Sequence, residues 1–320
     1  MNRDDLELLA RSLRHATSSS TGPDLDRALA DLGWRDALAH DRRAAISTLF
    51  ELQGEHHATS SALGLVLADA LGADPGPDAG ILLPVVSRAD PPGRLDGRGL
   101  GVDALAPTAA TTMAVGLIVA NGDDGTIVAT VPASSLSFTS IDGLDPDAGL
   151  VRVTGADVPM STRTALPDGA WASAVALARL ALAHELVGAS RTMLELARQH
   201  ALERVQFDRP ISSFQAVRHR LAEALVAIEV AAASVDAAWL DGSPAAASMA
   251  KATAGRSART VARHSQQVLA GIGFTTEHDF HHSLRRTFLL NALFGTAASL
   301  TTALGHDLLA SKRLPPLLPL

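Results

Sequence analysis

Two stretches decide the fold: ALERVQFDRPISSFQ at Ala201 to Gln215 and QVLAGIGFTTEHDFHHSLRR at Gln267 to Arg286. In the first, an apolar-periodic segment ends near Arg204, and a proline-containing turn leads directly into the next periodic segment. In the second, a periodic segment ends at Gly271-Ile272-Gly273, and a new helix start follows at once. The pattern is typical of long helices that are joined by short loops.

Working outward from these stretches, residues 168–320 are predicted to form a C-terminal four-helix bundle. Its helices are predicted at Trp171–Val205, at Phe214–Leu240, from Ser243-Pro244 to near Gly271, and after a capping pair of Thr276 and Asp279. The second helix is predicted to bury one face that carries Val217, Leu221, Leu225, Ile228 and Val235.

Residues 1–78 show helical periodicity and are predicted to be an N-terminal helical domain. Residues 79–167 contain short β-branched runs that are separated by turn residues, which predicts a central antiparallel β domain. Asn121-Gly122 to Gly125, between two apolar runs, predicts a hairpin. The fold class is therefore mainly α with a small β domain.

Composition excludes several classes of function. The chain has 320 residues, no cysteine and a formal net charge of −7, so thiolate metal sites are excluded and nucleic acid is not an expected partner. No run of eighteen residues lacks charged or strongly polar groups, and the N-terminus does not resemble a signal peptide. We therefore expect a cytoplasmic protein that does not span a membrane.

The two stretches resemble the flavin-contacting signatures of the acyl-CoA dehydrogenase family, and the order helices, β domain, bundle is also that family's order. The resemblance implies that the bundle holds the FAD of a neighbouring subunit and that the N-terminal domain is shortened. The implied FAD-binding residues are Arg204, Gln206, Phe207, Phe214, Gln215, Gln267 and Gly271.

The sequence departs from the family's pattern at three places. Asp208 stands where the first signature usually has glycine, and Ala270 replaces the first of two glycines in the second. The flavin-binding loop and strand of the family's β domain are not found, and LLPVVSRADPPG stands in that region. The chain thus keeps bundle-side flavin residues without a recognisable β-domain flavin loop.

The positions of the family's catalytic glutamate are apolar in this chain. The commonest position corresponds to Phe294, which is followed by a matching Gly295-Thr296, and the alternative position corresponds to Ala178, beside a matching Arg179. Neither side chain can accept the α-proton of an acyl thioester. No catalytic residue is therefore assigned.

Two other groups of residues could suggest a different chemistry. Glu185 is a candidate substitute base, although the simpler interpretation is an acid on the helix surface, and His184-Glu185 lacks the second histidine of a zinc protease motif. His278, His281 and His282 have metal-like spacing, but solvated or capping histidines are the favoured interpretation. No metal site is predicted.

The resemblance implies an FAD-dependent acyl-CoA dehydrogenase subunit that works in a hetero-oligomer. Its expected partners are a homologous catalytic subunit, an acyl-CoA substrate and an electron-transfer acceptor, as in actinobacterial enzymes that degrade steroid side chains. Two alternatives stay open: a self-sufficient flavoenzyme with an unusual base, and a flavin-free scaffold subunit.

Overall fold

Helices form both ends of the chain. The computed structural model describes residues 3–76, 79–97, 99–141, 143 and 145–312. The N-terminal helices are α1 (Arg3–Ser19), α2 (Pro23–Asp31), α3 (Trp34–His40), α4 (Arg42–His56) and α5 (Ala62–Ala70). The C-terminal helices are α6 (Ala170–Glu203), α7 (Gln215–Asp241), α8 (Pro244–Leu269), α9 (Phe280–Ala292) and α10 (Ala297–Ser311).

The bundle helices begin and end largely where the sequence predicts. The Ser243 side chain accepts a hydrogen bond from the backbone N–H of Ala246 and caps α8, with Pro244 in its first turn. The predicted capping pair of α9 is wrong, because α9 starts only at Phe280, and the Asp279 side chain makes no cap bond. The final bundle helix is also divided into α9 and α10, so the described residues of this region form five α-helices.

The β domain forms one sheet, in which two short strands pair outside the main strand order. Its strands are β1 (Ala79–Ile81), β2 (Leu83–Pro84), β3 (Gly93–Asp96), β4 (Gly99–Pro107), β5 (Val115–Gly122), β6 (Gly125–Pro132), β7 (Ser137–Ser140), β8 (Leu150–Val158) and β9 (Thr162–Ala165). They are ordered β7-β8-β4-β3-β5-β6-β9, with β1 on β5 and β2 on β4. Gly122 pairs with Gly125, which places the tight hairpin where it is predicted.

The prediction of a purely antiparallel sheet is wrong in two pairings. β5 runs parallel to both β1 and β3, while the other pairings of this sheet are antiparallel. Each of these parallel pairs joins strands that are separated by other elements, so a hairpin-based interpretation of the sequence does not reach them. Where the domains divide remains a prediction, although the elements change from helix to strand between Ala70 and Ala79 and back between Ala165 and Ala170.

The N-terminal helices and the bundle share one apolar core. At the crossing of α4 and α6 two glycines permit close backbone approach. A Cβ atom at Gly188 would lie 2.0 Å from the carbonyl oxygen of Glu51, and one at Gly54 would lie 2.1 Å from that of Glu185. The N-terminal domain is therefore attached tightly to the middle of α6, the helix that carries Glu185.

Two helical stretches are long and apolar enough to meet the composition test for a membrane span. One is α6, of which 78% of the apolar window is buried inside the protein. The other, Phe280–Ser311, contains the turn between α9 and α10 and is 33% buried over its window. The core packing of α6 and the break in the second stretch favour helices of a bundle, and the absence of a span stays a prediction.

Candidate functional site

The first signature folds into a short hairpin between α6 and α7. Strand β10 (Val205–Gln206) pairs with β11 (Arg209–Pro210), and the turn consists of Phe207 and Asp208. Both turn residues have left-handed backbone angles, with φ of 53° and 61°. Asp208 thus occupies a conformation that glycine adopts freely, which explains why the family pattern has glycine there.

The hairpin presents its side chains to solvent. Phe207 is 84% exposed, and its ring meets the ring of Phe214 edge to face at 6.0 Å. The Arg209 guanidinium lies 4.3 Å from the centre of the Phe214 ring. Arg204 and Gln206 are exposed, and neither side chain has a hydrogen bond or ion pair to another residue in the described part of the chain.

The second signature lies at the end of α8. Ala270 begins a 3₁₀ turn, Ala270–Phe274, with φ of 52° and ψ of −132°, angles that suit glycine better than alanine. Gln267 and Gly271 are exposed, and a Cβ atom built at Gly271 would meet no atom within 4 Å. The backbone at Gly271 is therefore open to a ligand from outside the chain.

The fold brings the two signatures to one end of the bundle. Because α6, α7 and α8 are connected by short loops, the end of α6, the start of α7 and the end of α8 lie together. His200 lies in the last turn of α6. Burial lowers its pKa, and the charges of His278 and Arg204 lower it further, because both signatures bring a positive group close to this ring. Gln215 is also exposed at this end and lies 3.4 Å from the His219 ring.

The side chains at this end fit a dinucleotide. An arginine suits a pyrophosphate, amides suit ribose and ring edges, and the exposed Phe207 with the half-buried Phe214 suits an aromatic ring system. The described residues include no acid that neutralises Arg204, although Asp208 lies four residues away. This set of donors and rings therefore fits one side of an FAD pocket, with the FAD lying outside this chain.

Both positions for the catalytic glutamate are apolar and buried. Phe294 and Ala178 are each 0% exposed, and Phe294 lies in the turn between α9 and α10 with φ of 56°. The Phe294 carbonyl accepts a hydrogen bond from Arg179 Nε at 3.1 Å, and Arg179 also donates to Ser248 at 2.8 Å. The matching arginine thus holds the backbone of the turn.

A buried lysine holds the same turn from α8. Lys251 is 0% exposed, and its Nζ donates to the carbonyls of Asn291, Leu293 and Gly295 at 3.3, 3.1 and 3.2 Å. Burial and the nearby Arg179 lower the pKa of Lys251, whereas three carbonyl acceptors at a helix C-terminus favour its ammonium form. The segment that carries the base in the family is therefore a rigid structural turn in this chain.

The prediction that Glu185 lies on the helix surface is wrong. Glu185 is 5% exposed, and its Oε1 lies 3.4 Å from NH1 of Arg286. Arg286 binds Asp145 more closely, with 2.6 Å between Nε and Oδ2. Burial raises the pKa of Glu185 to about 7, against the lowering effect of Arg286.

Glu185 and Arg286 line a small cavity where all three regions of the chain meet. Its volume is about 60 Å³, enough for a few water molecules and far less than a drug-sized ligand needs. Its remaining walls come from α4, α5, the β domain and α9. The interior of this chain therefore has no room at this position for an acyl thioester.

The β domain contacts the bundle directly where a flavin loop is expected. The backbone N–H of Ser87, in the LLPVVSRADPPG segment, donates to the carbonyl of Ala292 at the end of α9, at 2.7 Å. An apolar cleft of about 320 Å³ lies beside this contact, with Val86, Ile141 and Phe288 in its walls. The described residues show no array of backbone donors comparable to a phosphate-binding loop here.

The histidines near the start of α9 have structural partners. Nδ1 of His278 accepts from the N–H of Phe280, and the rings of His281 and His282 lie 3.9 Å apart. His57 lies 6.0 Å from His282, and burial lowers the pKa of His57 to about 4, helped by Arg286 and His282. In the described part of the chain no group of three or more histidine or acidic side chains could hold a metal ion.

His184 joins three helices. Its Nδ1 lies 2.8 Å from Oε1 of Glu51, and the Trp239 indole donates to its Nε2 at 2.9 Å. Because Nε2 accepts a hydrogen bond, Nδ1 carries the proton and donates it to Glu51. Arg191 also pairs with Glu51, so this buried group is explained by packing between α4, α6 and α7.

Sequence reasoning missed the roles of Asp145, Lys251 and His57, and noted Arg286 only as part of a motif. Asp145 stands 141 residues from Arg286, so no local spacing connects them. For Lys251, a lysine within the small-residue run Ala245 to Gly255 is a signal that could have pointed to burial with partners, whereas Arg286 stands beside Arg285 and has no such signal.

Comparison with known proteins identifies the family to which the chain belongs. Residues 170–309 match the acyl-CoA dehydrogenase C-terminal domain. Acyl-CoA dehydrogenase IpdE2 of Mycobacterium tuberculosis is 32% identical over 249 residues, which is 70% of this chain and 76% of that protein. The chain therefore belongs to the acyl-CoA dehydrogenase family, and the resemblance that the two signatures indicate is confirmed.

Solved structures agree on the fold. The Tcur3481–Tcur3483 steroid ACAD superimposes with a TM-score of 0.80 at 24% identity, covering 97% of this chain and 98% of that one. The ChsE4–ChsE5 complex from Mycobacterium tuberculosis gives 0.78 at 19% identity, covering 99% of each chain. The three-part fold is thus confirmed, and both similar structures are named as pairs of unlike chains.

Proposed function

We propose that this chain is a subunit of an FAD-dependent acyl-CoA dehydrogenase that lacks the catalytic glutamate and completes the FAD site of a catalytic partner. The observation that carries the proposal is a contrast within one bundle. The bundle-side flavin residues are exposed at one end, apart from the half-buried Phe214, whereas Phe294 and Ala178 leave both base positions apolar and fully buried.

In this proposal each residue of the two signatures has a defined role. Arg204 binds the pyrophosphate, and the amides of Gln206, Gln215 and Gln267 bind polar edges of the cofactor. Phe207 and Phe214 pack beside its rings, and Gly271 allows the backbone to approach. Bound FAD supplies the acceptor for the hydride that leaves Cβ of the acyl thioester. The partner supplies the remaining pocket and the carboxylate that removes the α-proton.

The chemistry requires two further participants. An acyl-CoA is the substrate, and an electron-transfer acceptor reoxidises the flavin. The two similar structures, Tcur3481–Tcur3483 and ChsE4–ChsE5, each carry the names of two chains, and the first is a steroid ACAD, which supports a mixed assembly that acts in lipid or steroid catabolism. The proposed assembly is a cytoplasmic heterotetramer in which a two-fold axis relates two unlike pairs.

A second candidate function has one specific observation in its favour. Glu185 lines the internal cavity, and burial raises its pKa to about 7, a value that suits a general base. However, the Glu185 carboxylate lies 3.4 Å from the Arg286 guanidinium, with which it is paired, and the cavity has room only for water. A self-sufficient enzyme would need both to rearrange, so we rank this candidate lower.

The test measures flavin and mass together. The chain is purified alone and after co-expression with a candidate catalytic acyl-CoA dehydrogenase from the same organism. Flavin is quantified against protein by its absorbance near 450 nm, and the mass of each assembly is measured by native mass spectrometry. We expect one FAD per pair of unlike chains. A homo-oligomer with one FAD per chain would favour the self-sufficient enzyme, and a mixed complex without flavin would favour a scaffold.

A further inference from the structure

A short segment of the β domain lies against α9 of the bundle. This segment, Asp145–Ala148, stands just before β8 and contains a 3₁₀ turn at Pro146–Ala148. The N–H of Ala148 donates to the carbonyl of Asp145 at 3.2 Å, so the turn has an internal bond of its own. We call this segment the strap. Its shape is local, whereas its place against the bundle depends on tertiary contacts.

The strap stands between two cavities. The inner cavity, of about 60 Å³, contains the Glu185 carboxylate in its wall. The outer cleft, of about 320 Å³, is the apolar one between the β domain and α9. Ala148 of the strap, Leu150 and Leu289 belong to the walls of both. Movement of the strap away from α9 would therefore remove part of the wall that separates the inner cavity from the outer cleft.

Two side chains of α9 attach the strap to the bundle. Arg286 Nε lies 2.6 Å from Oδ2 of Asp145, and Arg286 NH2 donates to the carbonyl of Asp147 at 3.5 Å. His282 Nδ1 lies 3.5 Å from Oδ2 of Asp147, and both of these side chains are largely exposed, so this second contact is weak. Among the described residues, no other side chain of the bundle forms a hydrogen bond or an ion pair with the strap. The guanidinium of Arg286 is thus the main attachment.

Arg286 also has partners that do not belong to the strap. Its NH1 lies 3.4 Å from Oε1 of Glu185 and donates to the carbonyl of Ala58 at 3.2 Å. Separating a buried cation from its counter-ion is costly when no other partner is present. If Asp145 moved out to water, Arg286 would still be paired with Glu185, so neither charge would be left buried and unpaired. The same three side chains therefore support two arrangements.

We propose that the strap is a gate between the outer cleft and the inner cavity, with Arg286 as its latch. The gate is closed while Asp145 binds Arg286, and it opens when Glu185 alone keeps the guanidinium. In the open state the two spaces form one pocket, and a molecule in the outer cleft can reach Glu185. The gate is a property of this chain by itself and requires neither FAD nor a partner chain.

The experiment measures how often the inner cavity opens. The chain has no cysteine, so a single introduced thiol reports on one place. Leu182 lines the inner cavity and is 1% exposed, so the thiol of Leu182→Cys is alkylated by iodoacetamide only when the cavity opens. Val261 on α8 is 0% exposed and lines neither space, so Val261→Cys reports on unfolding of the bundle. Alkylation of the full chain is followed by intact mass at pH 8, above the pKa of about 7 of Glu185.

The latch predicts opposite effects of two substitutions on the Leu182→Cys thiol. Asp145→Asn removes the strap's charge from the latch and should speed alkylation at least about tenfold. Glu185→Gln removes the second carboxylate of Arg286, so opening would leave this cation without a counter-ion, and alkylation should slow at least about threefold. Asp103→Asn, the matched control, breaks an exposed pair with Arg152 in the same domain and should change the rate less than about twofold.

Three results would overturn the gate. Equal alkylation rates at the Leu182→Cys and Val261→Cys thiols would mean that the inner cavity opens only when the chain unfolds. An unchanged rate in Asp145→Asn would mean that the strap does not close the cavity. A faster rate in Glu185→Gln would mean that Glu185 only fills the wall and is no alternative partner for the latch.

Discussion

Arg286 and Asp145 join the bundle to the β domain: Nε of Arg286 lies 2.6 Å from Oδ2 of Asp145, and both side chains are 4% exposed. Glu185 shares the same guanidinium at 3.4 Å. One cation therefore serves two buried carboxylates, and the more distant one is incompletely compensated. Burial, together with the nearby charge of Asp145, raises the pKa of Glu185, and the more distant guanidinium offsets this rise only in part.

The first prediction concerns pH. The pKa of Glu185 rises from its ordinary 4.5 to about 7 on folding, so between these values the folded chain binds more protons than the unfolded chain. The free energy of unfolding should therefore fall as pH rises through this window. Glu185→Gln removes this term, so between pH 5 and pH 8 the variant should gain about 2–3 kcal/mol relative to the wild type. Urea denaturation at both pH values measures it.

The comparison cancels the titration of other groups, such as His57, because they are present in both proteins. An equal difference in stability at pH 5 and pH 8 would mean that Glu185 keeps its ordinary pKa. Asp145→Asn serves as the contrast, because it breaks the closer pair. It should destabilise the chain by about 3–5 kcal/mol at pH 8.

The second prediction concerns activity. The isolated chain should not dehydrogenate acyl-CoA substrates, because Phe294 and Ala178 cannot accept a proton, and loss of a general base typically lowers the rate about 10²–10⁴-fold. The measurement is acceptor reduction by the partner-free chain with added FAD. Turnover that Glu185→Gln abolishes, with the fold intact, would instead establish Glu185 as the base.

The third prediction concerns Arg204. Arg204→Ala should weaken FAD binding to the mixed complex at least about tenfold, because a charge-assisted phosphate contact contributes about 1.5–3 kcal/mol. Its own fold should lose no more than about 1 kcal/mol, since the exposed side chain bonds no described residue. Fluorescence titration and thermal melting measure the two effects. Arg198→Ala, six residues earlier on α6 and also exposed, is the control, and it removes only a surface ion pair with Glu195. A lowered Tm with unchanged FAD affinity would make Arg204 structural.

The fourth prediction concerns the strained turn after α8. Ala270→Gly should stabilise the chain by about 1 kcal/mol, because strain at φ 52° and ψ −132° outweighs the extra chain entropy of glycine. Denaturant unfolding gives the value. Ala233→Gly, in the exposed middle of α7, should destabilise by about 1 kcal/mol. Destabilisation by both changes would show that the backbone at Ala270 relaxes without cost.

The long helices and their ends could be predicted from local sequence. Ser243-Pro244 starts α8 as expected, and the two-residue hairpin after Asn121-Gly122 forms where the turn residues indicate. These features depend on residues within one turn of each other. Local chemistry therefore suffices for them.

Features that depend on distant partners could not be predicted. Glu185 lies on a helix that is buried on all sides at that level, and its counter-ion is 101 residues away. Leu225 was expected in the core but is 49% exposed, because α7 also carries apolar residues such as Val226 and Val230 outside its buried face, so periodicity alone could not tell the inner face from the outer one. Of the candidate site, the sequence supplied the FAD-binding residues as a prediction. The Lys251 contacts could not be predicted, because Lys251 donates to backbone carbonyls, which every residue type provides.

The turn around Phe294 is held by its own main chain, through bonds to Arg179 and Lys251. The backbone of the turn is therefore anchored independently of the side chain at position 294, whereas the Phe294 ring is fully buried in the core. Restoring a glutamate there would place a carboxylate where no solvent reaches it, so recovering a base would require the surrounding core to open towards a substrate as well.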